Sequence, residues 1–374
     1  MRLLFSIVPA LITVAWCAAP AVADTIVWIG NKKPRPAVKV LRENTKEVVF
    51  LPNSPGAKEQ TVKAAEVRTV LYEDAPEAFR VADQERGQKR WAAAAKGYEK
   101  ALRAAGVRDW IKVYANFYLG ESYRRLGTVA AANYDTAIQH YGAALSAQRD
   151  CRMLAEVVYG LAQALRGKKD YAAAGAKLGE LSKAVSDHGL DPSWDFLAQL
   201  EAARLLEAQE QFGEAGAKYR ALKGRAGAPP AMANLAAMRE GLCLVYGNKF
   251  DEARRHFQGL IKSAGKDEWD VRAGAHLGLG RCFYGEEKFA EARHEFLKVN
   301  AIYGNTEAHA EATYWAAKSN LRLAEKEKGA KETAKLHFSQ VLVLHADSPF
   351  ADKAEEELVK LGVSREELSR LRKR

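Results

Sequence analysis

A chain of 374 residues that is 48% apolar and 28% charged can bury a core, and its composition excludes a collagenous, a largely disordered or a polytopic membrane protein. Four cysteines are too few for a disulfide scaffold. Lys and Arg total 57 against 47 Asp and Glu, and the net charge of +10 favours anionic partners without naming one.

Residues 1–23 read as an export signal. Arg2 supplies the positive start, Leu3 to Ala15 is nearly unbroken apolar, and Ala21-Val22-Ala23 places cleavage before Asp24. The run is short and interrupted by Pro9 and Pro20, and no later stretch approaches the ~20 apolar residues of a membrane span. Trp16 beside Cys17 spoils a lipoprotein cleavage pattern. The mature chain is expected in the periplasm or cell envelope, with no stable membrane insertion after cleavage. Three cysteines then remain, Cys151, Cys243 and Cys282, an odd number for an oxidising compartment.

Residues 24–73 form a separate module by pattern. Thr25–Ile29, Ala37–Leu41, Glu47–Leu51, Gln60–Lys63 and Val67–Tyr72 read as short strands, with a turn cluster at Pro52–Gly56. So many strands in so short a segment predict a small closed or half-open barrel. On this pattern it resembles the SH3-like modules at the front of exported bacterial repeat proteins. Lys32, Lys33, Arg35 and Lys39 give it a basic edge, either a solvated loop or a peptide- or glycan-binding edge.

From residue 78 to 345 the chain repeats itself. Ala94, Tyr98 and Ala101 lie at i, i+4 and i+7, one face of a helix. The stripe recurs as Ala137/Tyr141/Ala144, Ala174/Leu178/Leu181, Ala215/Tyr219/Leu222, Ala253/Phe257/Leu260, Ala292/Phe296/Val299 and Ala334/Phe338/Val341. Three residues ahead of the alanines stand Trp91, Tyr134, Tyr171, Phe212, Phe250 and Phe289, with Lys331 breaking the series. Twelve of these fourteen slots are aromatic in a chain that is 9% aromatic, so the repeat is not chance. A small residue marks a second helix upstream in each unit: Ala82, Ala162, Ala203, Gly241 and Gly280 twelve residues before the stripe alanine, Gly120 and Ala317 seventeen before. The pattern predicts about seven antiparallel helix pairs in which the stripe alanine faces the small residue and the aromatic fills the gap toward the next pair, an α-solenoid.

Leu119-Gly120-x-x-Tyr123, Phe250-Asp251-Glu252-Ala253 with Phe257 and Leu260, and Leu279-Gly280-x-x-Phe283 followed by Phe289-Ala290-Glu291-Ala292 with Phe296 resemble tetratricopeptide repeats. The stripe alanines lie 37 to 43 residues apart, longer than the family's usual spacing. His345 to Ala354 is similar to repeat ends in periplasmic Tol–Pal-associated and outer-membrane-assembly proteins of that type. There Ser348 reads as an N-cap with Pro349 at the first helical position, and residues 346–374 as a capping helix and basic tail.

No chemistry stands out. The eight histidines form no H-E-x-x-H motif, His276, Cys282 and His294 match no zinc spacing, and Gly278 to Phe283 follows no strand, so it is not a dinucleotide loop. No catalytic residue, cofactor or metal is assigned. Cys243 and Cys282 occupy one slot in consecutive units, about a helix diameter of ~10 Å apart, and are expected to stay reduced.

In a tetratricopeptide solenoid the first helices line the concave face, which the resemblance implies is the ligand groove. Residues one and four places after each small residue then point into it: Glu121 and Arg124, Gln163 and Arg166, Arg204 and Glu207, Leu242 and Val245, Arg281 and Tyr284, Lys318 and Leu321. Five basic residues against two acidic ones suit an extended peptide with acidic or carboxylate groups. Nucleic acid is not expected, since no basic–aromatic platform appears. The sequence thus predicts a mainly α, noncatalytic protein-interaction adaptor of the cell envelope. The alternatives are an accessory factor that binds an anionic glycan or lipid, and a noncatalytic subunit of an envelope enzyme.

Overall fold

The computed structural model describes residues 23–30, 32–104, 106, 108–306 and 308–372. The export signal lies outside them except for Ala23. The described chain is mainly helical, with a small antiparallel sheet ahead of sixteen helices. It divides into two compact units, one ending at Asp191 and one beginning at Pro192.

The first unit opens with strands β1 (Asp24–Trp28), β2 (Arg35–Glu43), β3 (Glu47–Pro52), β4 (Gln60–Lys63) and β5 (Val67–Leu71), ordered β4-β3-β2-β1-β5. Ile26, Val38, Val40, Val48 and Phe50 form its buried face. A register shift between Val40 and Arg42 turns both Leu41 and Arg42 outward and brings Glu43 inward.

Of the closed or half-open barrel expected, closure is not seen among the described residues: the two edge strands, β4 and β5, are not paired with each other. The helices of this unit are α1 (Glu77–Gly87), α2 (Trp91–Leu102), α3 (Asp109–Leu126), α4 (Asn133–Ala147), α5 (Leu154–Gly167) and α6 (Tyr171–His188). Tyr72, just past β5, stacks on Trp110 of α3 with ring centroids 4.1 Å apart. Arg152, between α4 and α5, donates from Nε to Glu43 Oε2 at 3.0 Å, from Nη2 to the Tyr114 hydroxyl at 2.8 Å, and from Nη1 to the Val67 and Arg68 carbonyls at 3.3 Å each. Glu43 Oε1 accepts from the Tyr72 hydroxyl at 3.1 Å.

The second unit comprises α7 (Ser193–Ala208), α8 (Phe212–Lys223), α9 (Pro230–Tyr246), α10 (Phe250–Ser263), α11 (Trp269–Gly285), α12 (Phe289–Ile302), α13 (Ala308–Leu323), α14 (Ala330–Leu344), α15 (Pro349–Lys360) and α16 (Arg365–Leu371). The Ser348 hydroxyl accepts from the Phe350 N–H and caps α15.

All seven stripe alanines and all seven stripe rings or leucines are buried. The packing differs from expectation in one respect: the first-helix glycine faces the ring, not the alanine. A Cβ built on Gly120 would stand 2.7 Å from the Tyr141 ring, and one on Gly241 2.5 Å from Phe257. The ring needs this because it is too wide for two close-packed helices to accommodate against any larger residue. Its other side meets the next first helix two residues before that helix's small residue. Gly160 there lies against Tyr141 and Gly278 against Phe257. Where that slot is large, the rings stack, Tyr98 on Tyr118 at 5.3 Å and Phe296 on Trp315 at 6.4 Å.

Five first helices end alike. Lys89, Lys169, Glu210, Asn248 and Glu287 adopt a left-handed backbone with φ between 58 and 67°. The N–H of the residue that follows each bonds back to a carbonyl five positions earlier, as Asp170 to Leu165 and Lys249 to Leu244. This is the Schellman closure. It reverses the chain in time for the aromatic two residues later to open the second helix.

Candidate interaction surface

Within each unit consecutive first helices touch, α3 with α5 in the first and α9 with α11 and α11 with α13 in the second, more closely than second helices do. The first helices therefore line the inner side of each stack.

In the first unit Glu121, Arg124, Gln163 and Arg166 are half-buried on this side. Arg124 lies beside the Tyr141 hydroxyl, whose pKa burial pushes up to about 12, and its Nε is buried without a partner among the described residues.

In the second unit the strip is electrically balanced rather than basic. Arg204 Nη1 donates to Glu201 at 3.1 Å, Arg239 Nη1 to Glu207 at 3.2 Å, Arg281 Nη1 to Glu311 at 2.6 Å and Lys318 Nζ to Glu357 at 3.3 Å. Except for Glu201, the carboxylate sits on the neighbouring first helix, so the pairs staple successive helices. Val245 is 7% exposed and points into the core, which removes it from the surface; Leu242 is half-buried.

The centre of the strip is aromatic. The Arg281 guanidinium lies 4.4 Å from the Trp315 centroid and 5.6 Å from that of Tyr246, whose hydroxyl accepts from Arg281 Nη2 at 3.3 Å. Tyr284 meets Trp315 edge-on at 5.0 Å, and Arg322 covers Phe289 at 4.4 Å. Tyr246 is 38% exposed. Tyr246, Glu311 and Trp315 were not read from the sequence. Two of them stand five places after Gly241 and two before Ala317, on the face already counted at one and four places, so a wider window on that face would have found them.

Cys151, Cys243 and Cys282 are free and buried, and burial pushes each thiol up to about 12. Among the described residues no three metal-ligating side chains come together, and His276 instead hydrogen-bonds Glu295 at 2.7 Å.

No protein-family model matches the chain, and no curated protein matches it. Solved structures are similar to it. A tetratricopeptide repeat protein from Parabacteroides merdae shares 18% identity over 79% of this chain and 96% of that one, with a TM-score of 0.49. The C-terminal part of a TPR repeat-containing protein from Cytophaga hutchinsonii shares 12% over 74% and 98%, with a TM-score of 0.42. The Rap conjugation gene regulator of plasmid pLS20, in complex with the Phr* peptide, shares 12% over 79% and 95%, with a TM-score of 0.44.

Proposed function

We propose that this chain is a noncatalytic interaction scaffold of the tetratricopeptide type, exported to the cell envelope, that holds a protein or extended peptide on the first-helix strip of its second unit. The module boundaries that go with this reading are 24–73 for the sheet, 78–345 for the repeats and 346–374 for the capping segment. The observation that carries it is the Tyr246–Arg281–Trp315 stack. An exposed Tyr over half-buried Arg and Trp side chains, prearranged by packing and rimmed by ion pairs, has the composition of a protein-binding hot spot. Because each cation is already paired, the ligand is held by apolar and aromatic contact with exchange of ion-pair partners, and a strongly acidic peptide gains little. The polyanion reading keeps one support, on the sheet: Lys32 lies 5.6 Å over Trp28 and Arg35 4.8 Å over Phe50.

Photocrosslinking in intact cells tests the scaffold reading. A benzophenone amino acid in place of Tyr246 should trap a defined protein, whereas the same group at Val129, an 89% exposed loop position, should not. No adduct at 246, or the same adducts at both positions, refutes the strip as the binding surface.

A further inference from the structure

Beside β5, in the first unit, lies a cavity of about 320 Å³. Phe79, Trp110, Tyr114 and Tyr118 wall it, Thr69–Leu71 of β5 form one side, and Arg80 stands at its mouth. The walls are preformed, since Phe79 meets Trp110 edge-on at 5.3 Å and Trp110 meets Tyr114 at 6.1 Å.

Three observations point to one occupant. Trp110 is only 9% exposed, yet its Nε1–H has no partner among the described residues, and a buried donor left unpaired is costly until an acceptor arrives. Arg80 is exposed and its guanidinium makes no ion pair or hydrogen bond among the described residues. Two carboxylates also line the cavity: Asp83, which is engaged by Arg86 at 3.3 Å and the Tyr98 hydroxyl at 2.5 Å, and Glu73, which is exposed just past β5, so Arg80 faces the incoming group as the cavity's single cation among the described residues. Finally, β5 is an edge strand whose Val67 and Arg68 carbonyls accept from Arg152, and among the described residues no side chain hydrogen-bonds the carbonyls of Thr69–Leu71, the stretch beside the cavity.

We infer that this site captures the free C-terminus of a partner protein. The partner's last residues extend along Thr69–Leu71 as an added strand. Its terminal apolar side chain enters the aromatic cavity, whose volume suits one large side chain. Its carboxylate meets the Arg80 guanidinium and the Trp110 Nε1–H, the two donors that an internal segment would leave unanswered. The site is independent of the strip in the second unit.

The probe is the N-acetylated peptide Ala-Thr-Val-Thr-Phe, titrated into the full chain by calorimetry as the free acid and as the C-terminal amide. The acid should bind, with the amide at least ~10-fold weaker, as for loss of one charge-assisted hydrogen bond. Arg80→Gln, at an exposed position, should abolish that preference, and Trp110→Phe, which keeps a ring, should weaken the acid by about the same factor. Absence of binding, equal binding of acid and amide, or unchanged acid preference in Arg80→Gln would each overturn the inference. The strip-directed crosslink at Tyr246 is unaffected by either result, so the two readings fail separately.

Discussion

The two units use buried and half-buried ion pairs to different ends. In the first unit the Arg152–Glu43 pair is sealed: its side chains are 11% and 8% exposed, and the Tyr72 and Tyr114 hydroxyls and two backbone carbonyls complete its hydrogen bonds. In the second unit Arg281–Glu311 and Lys318–Glu357 stay open to water, with the cations 16% and 27% exposed and the carboxylates 27% and 14%. A sealed charge tolerates only one arrangement, because every unmet lone pair is costly there. A wet pair can exchange partners. The first unit therefore uses ionic contact to fix a sheet on helices, and the second uses it where a ligand could be admitted.

The contrast breaks most directly at Arg152. Arg152→Met strands the Glu43 carboxylate in a buried site and should cost about 3–5 kcal/mol of stability. Adding Glu43→Leu should restore much of the loss, since an apolar pair of similar volume needs no hydrogen bonds. Glu311→Gln, across a pair that is buried only in part, should cost less, about 1 kcal/mol. In 1 M salt the second effect should shrink and the first persist. Urea unfolding measures all three, and equal costs for Arg152→Met and Glu311→Gln would erase the distinction.

Next in size is ring insertion, which the two units share. Gly160→Ala and Gly278→Ala would each drive a methyl against the ring of Tyr141 or Phe257, at a cost of about 1–3 kcal/mol. Gly142→Ala and Gly259→Ala, on α4 and α10 with nothing within 4 Å, should instead stabilise by about 0.5–1 kcal/mol through helix propensity. Thermal melts of the four variants separate insertion from propensity, and destabilisation by all four would remove the ring argument.

These glycines mark where the sequence ceases to be legible. The stripe and the small residue could be read because each repeats within its own helix pair. Gly160 and Gly278 could not, since their ring belongs to the pair before. Charge on the strip failed for the same reason: Glu311 and Glu357 lie 30 and 39 residues from the cations they neutralise. Val245 was misplaced because a fixed offset ignores how far a helix rotates toward its neighbour. The cavity beside β5 needs a strand edge to meet two distant helices, which no local pattern encodes.

Acid should then divide the units. Burial lowers the pKa of His140 in the first unit and of His309, His337 and His345 in the second. His309 and His345 also oppose each other's charge, with Nδ1 and Nε2 2.8 Å apart. A folded pKa below the ordinary 6.5 favours the neutral ring, so this stability is complete above about pH 6.5 and is lost as the pH falls below it. Asp24 and Glu156 of the first unit shift the other way, raised by burial, and favour folding as they protonate. Hydrogen exchange compared at pH 7.5 and 5.5, corrected for intrinsic rate, should show protection falling first around α13 and α14. Earlier loss around α4 would contradict the assignment, and His345→Gln should reduce the acid sensitivity of the second unit.

The smallest effects lie at the left-handed turns, where both units carry the same strain. Lys169 at φ 67° and Glu287 at φ 60° hold a conformation that costs an L side chain about 1–2 kcal/mol, against about 0.5–1 kcal/mol of extra chain entropy for glycine. Lys169→Gly and Glu287→Gly should therefore each gain a few tenths to about 1 kcal/mol, adding when combined because each closes a turn within a different unit and, among the described residues, shares no partner with the other. Asn248→Gly should gain least, since Asn visits this region readily. A loss at Glu287 alone would mean that its wet contact with Arg322, at 3.9 Å, outweighs the backbone. Losses at both positions would mean that the side chains, and not the hydrogen-bonded closure, set the turn.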